Sequence, residues 1–383
     1  MKQWIKKTWK SFYGTFGGVG IVGLIISLTA FILVFFYWDF LENKEKVSLF
    51  GGAVASGLVL VGLGLNAKRI QQQGKQLETQ EKGLYAERLK SAITLLSNEA
   101  VSVQLGAISL LHTLAQEVPG TEEEKKKKRK EIQEVLCSFV RTETSTEEYM
   151  EQVNKKADKP SPSDIVRKIL NIVTHRRDEG TPLFNAAEID LSSAYLRGAD
   201  LSGAYMQGAN LIKADLQEAD LQRANLQEAK LQKADLQKAD LSGAYLQGAN
   251  LTKADLQGAY LIKADLQGAN LQDADLQGAR MQEADLRRSK LFVSRLQGAA
   301  LIGAALQGAD VRLANLQEAY LEEANLKEAD LQGADLQRAN LQGVDLQSAN
   351  LSTAKIDGGH KEWITGLEKE GIMVRGINEI RWV

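Results

Sequence analysis

Leu211-Ile212-Lys213-Ala214-Asp215, Leu216-Gln217-Glu218-Ala219-Asp220 and Leu221-Gln222-Arg223-Ala224-Asn225 are three successive units of one pattern, and their reading decides the fold. A bulky apolar residue stands at every fifth position from Leu191 to Ile356, thirty-four times in succession. Thirty of these are Leu; the others are Met206, Met281, Val311 and Ile356. Two residues before each stands a small side chain, almost always Ala, and the residue just before it is usually Asp, Asn or Tyr. Period five suits neither a 3.6-residue helix nor a two-residue strand. An α-helix would turn about 500° in five residues and spread the Leu over every face. The pattern instead predicts a solenoid whose short segments each send one Leu inward, with Ala where a corner leaves little room. Stacked coils then share a narrow core, and each buried Leu contributes about 1.5–3 kcal/mol by transfer. No Pro occurs from Asn185 to Gly359, as a ladder that uses every backbone N–H requires.

The run from about Ile189 to Asp357 resembles the pentapeptide-repeat family. The resemblance implies a right-handed quadrilateral β-helix with four units per coil, hence about eight and a half coils and a rod roughly 40 Å long at sheet spacing. It also implies that the repeated Leu is the central inward residue and the Ala two before it the second, as in Ala199 with Leu201 and Ala254 with Leu256. The expected core includes Leu201, Leu216, Leu236, Leu256, Leu276, Leu316 and Leu336. The pattern breaks at Ser289-Lys290-Leu291-Phe292-Val293-Ser294-Arg295, where Ser twice replaces Ala. Arg287, Arg288, Lys290, Phe292 and Arg295 there read either as a tolerated irregularity or as a partner-binding patch.

An exposed coil end offers unpaired backbone and bare Leu to other chains. His360–Val383, with a short amphipathic stretch and apolar Met373, Val374, Ile377, Ile380 and Trp382, reads as a cap over the last coil. Leu183 and Phe184 lead into the first unit.

Ahead of the rod lie two apolar runs free of charged residues, about Gly17–Phe36 and Val47–Leu65. Each is long enough for one hydrocarbon crossing at about 1.5 Å per residue. Trp9, Tyr13, Tyr37 and Trp38 flank the first as interfacial aromatics do. A cleaved signal peptide fits poorly, because the run is long and leads into Phe35-Phe36-Tyr37-Trp38 rather than a small-residue cleavage site. The expectation is a two-helix transmembrane hairpin. Lys2, Lys6, Lys7 and Lys10 before it and Lys68 and Arg69 after it place both the N-terminus and the repeats on the cytoplasmic side.

Helical periodicity follows in Leu89, Ile93 and Leu96, in Val101, Leu105, Ile108 and Leu111, from about Lys130 to Arg141, and from Pro162 to Arg176. This segment is similar to the helical region that precedes the repeats in some bacterial, especially cyanobacterial, family members. Glu122–Glu131 reads as a charged loop or helix start, and Thr142–Ser163 as flexible for most of its length. The expected domains are an anchor (1–68), a helical stalk and adaptor (69–180), the β-helix (181–359) and a cap (360–383).

The catalytic inventory is thin. Cys137 is the sole cysteine, which excludes an intrachain disulfide, and His112, His175 and His360 share no metal-ligand spacing. No phosphate-binding loop or nucleotide fingerprint occurs, so neither enzyme activity nor a cofactor is expected. From Glu188 to Asp357, 24 acidic against 17 basic residues give −7, while the whole chain carries −2. Such a rod lacks the basic groove that direct nucleic-acid binding needs. The reading is a non-catalytic, membrane-tethered protein-binding scaffold that displays a cytoplasmic rod, with the lipid bilayer and an unidentified protein as partners and homo-oligomer formation left open. The alternative is a regulator of a membrane transporter or complex. Some members of the family resemble duplex DNA and protect DNA gyrase, but the interspersed Lys and Arg weaken that likeness here.

Overall fold

The computed structural model describes residues 43–155, 160–174, 183–369 and 372–383, with side chains from residue 61 onward. Two compact units are present, Met1–Ala86 and Glu87–Val383. The first described element is helix α1, Asn43–Leu96. It is followed by α2 (Val101–Gln116), α3 (Glu122–Thr144), α4 (Glu147–Asn154) and α5 (Asp164–Thr174). The repeats come next, then strand β1 (Lys355–Ile356), helix α6 (Lys361–Lys369) and strand β2 (Arg381–Trp382).

The expected transmembrane hairpin is corrected. Among the described residues no helix is long and apolar enough to cross a membrane. The second apolar run, Val47–Leu65, is not a separate segment. It opens the single 54-residue helix α1, which continues without a break into the polar stretch Arg69-Ile70-Gln71-Gln72-Gln73 and on to Leu96. The first run, Gly17–Phe36, lies outside the described residues. With the hairpin go the bilayer as a partner, the two-pass integral-membrane placement with cytoplasmic N-terminus and repeats, and the tethered form of the scaffold reading.

In the repeat region, parallel bridges join residues twenty apart, from Asp190–Asn210 to Asp335–Lys355. One coil is therefore four units, one on each of four sides. We number the sides by their first inward residue: Leu191, Leu196, Leu201 and Met206. Every residue of a unit has a place for its N–H. Leu256 donates to Asp275 O at 2.7 Å, and Gly258 to Gln277 O at 2.9 Å, both one coil on. Asp255 donates back to Ala234 O at 2.9 Å, and Ala259 closes the turn on Leu256 O at 3.0 Å. The fifth N–H, on Gln257, is taken by the Asp255 carboxylate at 3.1 Å. This explains why Asp and Asn precede Leu: their side chains accept from the residue two ahead, as in an Asx turn. The third residue of each turn is left-handed, as in a type II turn. Gly therefore recurs at that position, from Gly198 to Gly343.

The core is a column of Leu and Ala. Leu201 of the third side and Leu216, Leu236, Leu256, Leu276, Leu316 and Leu336 of the second are all buried, as are the Ala residues two before them. Ser289 and Ser294, which replace Ala, are buried too, and Ser294 Oγ donates to Leu291 O at 2.6 Å.

Both ends of the ladder are closed by the chain itself. The first coil has no preceding coil to accept its N–H groups, and helix C-termini supply acceptors instead. A helix leaves its last carbonyls unbonded, and Thr174 O at the end of α5 accepts from Tyr205 N at 2.6 Å. Thr144 Oγ1 at the end of α3 accepts from Tyr195 N at 3.1 Å. Arg141 donates to Asp190 O at 2.7 Å, and Gln133 to Asn185 O at 2.9 Å. Helices α2, α3 and α5 pack on one another around Ile108, Leu111, Ile132, Leu136, Ile169 and Leu170.

Of the two readings of Glu122–Glu131, the helix start holds: the stretch opens α3, and Thr121 and Glu124 form a reciprocal capping box. Two other local expectations differ from what the helices do. Thr142–Ser163 contains α4, capped by Thr146 Oγ1 accepting from Tyr149 N at 3.2 Å. The buried face of α1 runs Tyr85, Leu89, Ala92 and Leu96, which leaves Ile93 exposed.

At the far end, Arg381 N donates to Ala354 O at 2.7 Å and Val383 N to Ile356 O at 3.0 Å. Strand β2 thus pairs with β1 in parallel, and Ile364, Leu367, Val374, Ile377 and Ile380 are buried.

Replacing Leu256 by Ala is expected to cost about 2–5 kcal/mol, and replacement by Asp more, because it buries a carboxylate. Replacing Thr144 by Val leaves the Tyr195 N–H without its acceptor and costs about 1–3 kcal/mol. Denaturant unfolding measures both; unchanged midpoints would contradict the inward register and the helical closure.

Candidate functional site

With the core filled and both ends closed, the outward surface of the rod is its four walls. The residues of the sequence break are spread over three sides by the turn of the coil. Arg287 and Arg288 lie at the corner after the fourth side. Lys290 lies mid-way across the first side, Phe292 at the corner after it, and Arg295 mid-way across the second. Arg287 is held by Asp285, its Nε donating to Oδ1 at 2.8 Å. Burial pushes the Asp285 carboxyl up, but the hydrogen bonds and charge of Arg287 outweigh it and leave the group below the usual carboxylate range. Arg295 reaches back one coil to Asp275 at 3.2 Å. Arg288 lines a recess of about 510 Å³ with Arg287, Lys327, Glu328, Gln267, Gln307, Gly268 and Gly308.

Lys290 and Phe292 join a different group. Arg312, one coil above Phe292, stands over its ring with 5.4 Å from guanidinium carbon to centroid. Arg312 is itself fixed by Asp310, Nε to Oδ1 at 2.7 Å and Nη2 to Oδ2 at 2.7 Å. That contact holds the Asp310 carboxyl below its ordinary value. Beside the ring, Val293 and Leu313 occupy the left-handed corner position with φ of 60° and 56°. They are the only bulky apolar residues at that position among the described corners, and they are 39% and 55% exposed. Left-handed backbone is an outlier for a β-branched residue, and neither side chain repays the strain by burial. Above them, a Cβ on Gly333 would come within 2.7 Å of Leu313 Cδ2, so the glycine makes room for the Leu. The five-residue reading found Phe292 and Val293. It missed Arg312, Leu313 and Gly333, which are visible only when the sequence is folded at twenty residues per coil.

Among the described residues, no group of three or more His, Cys, Asp or Glu is placed to hold a metal ion. Cys137 is buried in α3 against the first coil, and burial pushes its thiol up to about 11 despite a hydrogen bond from Asp190.

The pattern of the family described as "Pentapeptide repeats" matches residues 189–227, 219–258, 254–291, 294–333 and 314–352. The chain is 39% identical to HetL of the cyanobacterium Nostoc sp. strain PCC 7120, over 42% of this chain and 75% of HetL. The chain belongs to the pentapeptide-repeat family. HetL is described as a pentapeptide-repeat protein involved in the regulation of heterocyst differentiation, and its TM-score with this chain is 0.21. Rfr23 of the cyanobacterium Cyanothece 51142 is 43% identical over 22% of this chain and 58% of its own, with a TM-score of 0.22. QnrB1, a plasmid-mediated fluoroquinolone resistance protein, is 22% identical over 47% of this chain and 88% of its own, with a TM-score of 0.30. Superpositions at these scores carry no weight, and the assignment rests on the repeats and on the identity to HetL. No curated protein matches the chain significantly. Likeness to membrane-anchored members is corrected along with the hairpin: the family match is confined to the repeat region.

Val293→Gly is expected to raise stability by up to about 1 kcal/mol, because Gly removes the left-handed strain; a loss of stability would mean that Val293 packs in the folded rod. Cys137 is expected to resist thiol reagents at pH 8 until the protein is unfolded, and rapid labelling of the native chain would place it outside the helical core.

Proposed function

We propose that this pentapeptide-repeat protein is a non-catalytic binding rod, which holds a protein partner on its wall through Phe292, Val293, Arg312 and Leu313. The observation that carries the reading is the exposure of Val293 and Leu313 at strained corners. A sequence shaped by stability alone would place Gly, Asn or a charged residue there, as nearly every other corner does. An aromatic ring, a fixed Arg and two aliphatic side chains, all partly open to solvent, have the composition of an interface anchor. Lys290 and the Arg288–Lys327 recess flank the anchor on the same stretch of rod and add positive charge at its rim. Charge at an interface rim acts on association rate and partner choice more than on affinity. The wall would therefore position a partner rather than transform it.

A DNA-mimicking rod needs carboxylates along its length, and this one interrupts them with stacked cations such as Lys213, Lys233 and Lys253.

The test is a comparison of the full chain with its Val293→Gly, Leu313→Gly double variant in cross-linking and affinity capture. Both glycines suit the backbone, so the rod is expected to stay folded and to melt no lower. Proteins recovered with the wild-type chain are expected to fall by roughly tenfold or more, the loss of about one anchor's worth of binding energy. Equal recovery of the same proteins by both chains would overturn the assignment of the anchor.

A further inference from the structure

At twenty residues per coil, charges scattered in the sequence sort into rows. Lys213, Lys233 and Lys253 stack at the corner between the first and second sides, all exposed. Asp215, Asp235, Asp255 and Asp275 stack along the middle of the second side, two residues further on in each coil. The rows thus run side by side along the rod, about 6–7 Å apart, with a step of about 4.8 Å within each.

Among the described residues neither row is matched along its length by opposite charge of its own chain. Lys213 and Lys233 have no ion pair among the described residues, and Lys253 pairs only with Asp273, at 3.5 Å. The Asp row is bound chiefly by neutral amides: Gln217 Nε2 donates to Asp235 at 2.6 Å, Gln237 to Asp255 at 2.7 Å and Gln257 to Asp275 at 2.8 Å. Arg295 closes its upper end on Asp275 at 3.2 Å. Burial and the neighbouring Asp235 hold the Asp215 carboxyl above its usual range.

We propose that this wall is the contact between two copies of the chain, lying side by side, parallel and in register. The occupant follows from the spacing. Side chains on one face of an extended peptide repeat at about 6.6–6.8 Å, and that period drifts out of step with these rows. A second β-helix has the same step as the first. The orientation follows from symmetry. A two-fold axis parallel to the rod exchanges left and right without reversing up and down. It lays the Lys row of each chain on the Asp row of its partner, Lys213 opposite Asp215, Lys233 opposite Asp235 and Lys253 opposite Asp255. An antiparallel pair would instead set Asp on Asp and Lys on Lys. The contact is isologous, as two-fold contacts are. Its charge pairs lie at the surface, the Lys exposed and the Asp half-buried, so it is weak and salt-sensitive. This inference does not depend on the anchor at Phe292 and Leu313, which lies further up the rod.

The experiment is sedimentation equilibrium of the full chain at low and high salt, with two charge-row variants. One carries Lys213→Asp, Lys233→Asp and Lys253→Asp. The other carries Asp215→Lys, Asp235→Lys and Asp255→Lys. Both substitutions have precedents in their rows: Asp273 already occupies the Lys row, and Arg295 and Lys355 already occupy the Asp row. Melting curves establish that each variant is folded. The wild-type chain is expected to dimerise at low salt, with a dissociation constant raised roughly tenfold or more on moving from about 0.05 M to about 0.5 M salt. Each variant alone is expected to be monomeric, and an equal mixture of the two to form a heterodimer.

Zero-length cross-linking of isotope-mixed wild-type chains is expected to join Lys233 to Asp235 of the other copy. A monomer at every concentration at low salt would overturn the proposal, as would a dimer indifferent to both reversals. It would equally fail if the wild-type chain stayed monomeric but bound duplex DNA through the Lys row, with binding abolished by the Lys→Asp variant.

Discussion

The constraint on which the rest depends is that the bridging backbone N–H groups of the rod find their acceptors at a fixed offset, one coil away. Three of the five in a unit such as Asp255–Ala259 bond to neighbouring coils, one closes the turn, and one is taken by the Asp or Asn side chain where one precedes the Leu. This leaves no position for Pro and demands a left-handed residue at each corner. It also forces the inward register, because the two residues that bridge coils, at Leu and just before it, must point to opposite faces of the short strand. The filled Leu column is then as much a result of the backbone ladder as a cause of it.

A ladder of this kind has two ends, and the chain meets each with a different device. At the C-terminal end β2 adds one more parallel rung to β1. At the N-terminal end no strand is available, and helices α3 and α5 finish with their last turns against the first coil. The carbonyl of Thr174 and the hydroxyl of Thr144 stand where the missing coil's acceptors would be. The helical region therefore has a structural duty that its own amphipathic pattern does not announce.

The spacing of Leu and Ala was enough to read the solenoid, and the family likeness its four-unit coil. The apolar faces of α2, α3 and α5 were legible at helical period. Three things were not. The closure by Thr144 and Thr174 depends on which helix ends meet the coil, and sequence spacing does not encode that. The apolar run Val47–Leu65 reads as a span in a short sequence window, but such a window does not show where a helix ends, and α1 runs on through it to Leu96, with no described helix long and apolar enough to cross a membrane. The anchor at Phe292 and Leu313 and the Lys and Asp rows join residues twenty positions apart, so a scan for local charge runs grouped Arg287 with Arg295, which face different sides. Once the period is known the rows can be read directly from the sequence. Before that, Lys213 and Lys233 are two residues among many.

The most direct test of a ladder closed at both ends is residue-resolved amide hydrogen exchange on the intact chain. The account predicts slow exchange at the bridging positions along the rod, with Tyr195 and Tyr205 in the first coil and Leu351 in the last protected to a degree comparable with Leu256 in the middle. Protection that is high at Leu256 but falls away at Tyr195 and Tyr205 would show a frayed first coil and contradict the closure by α3 and α5.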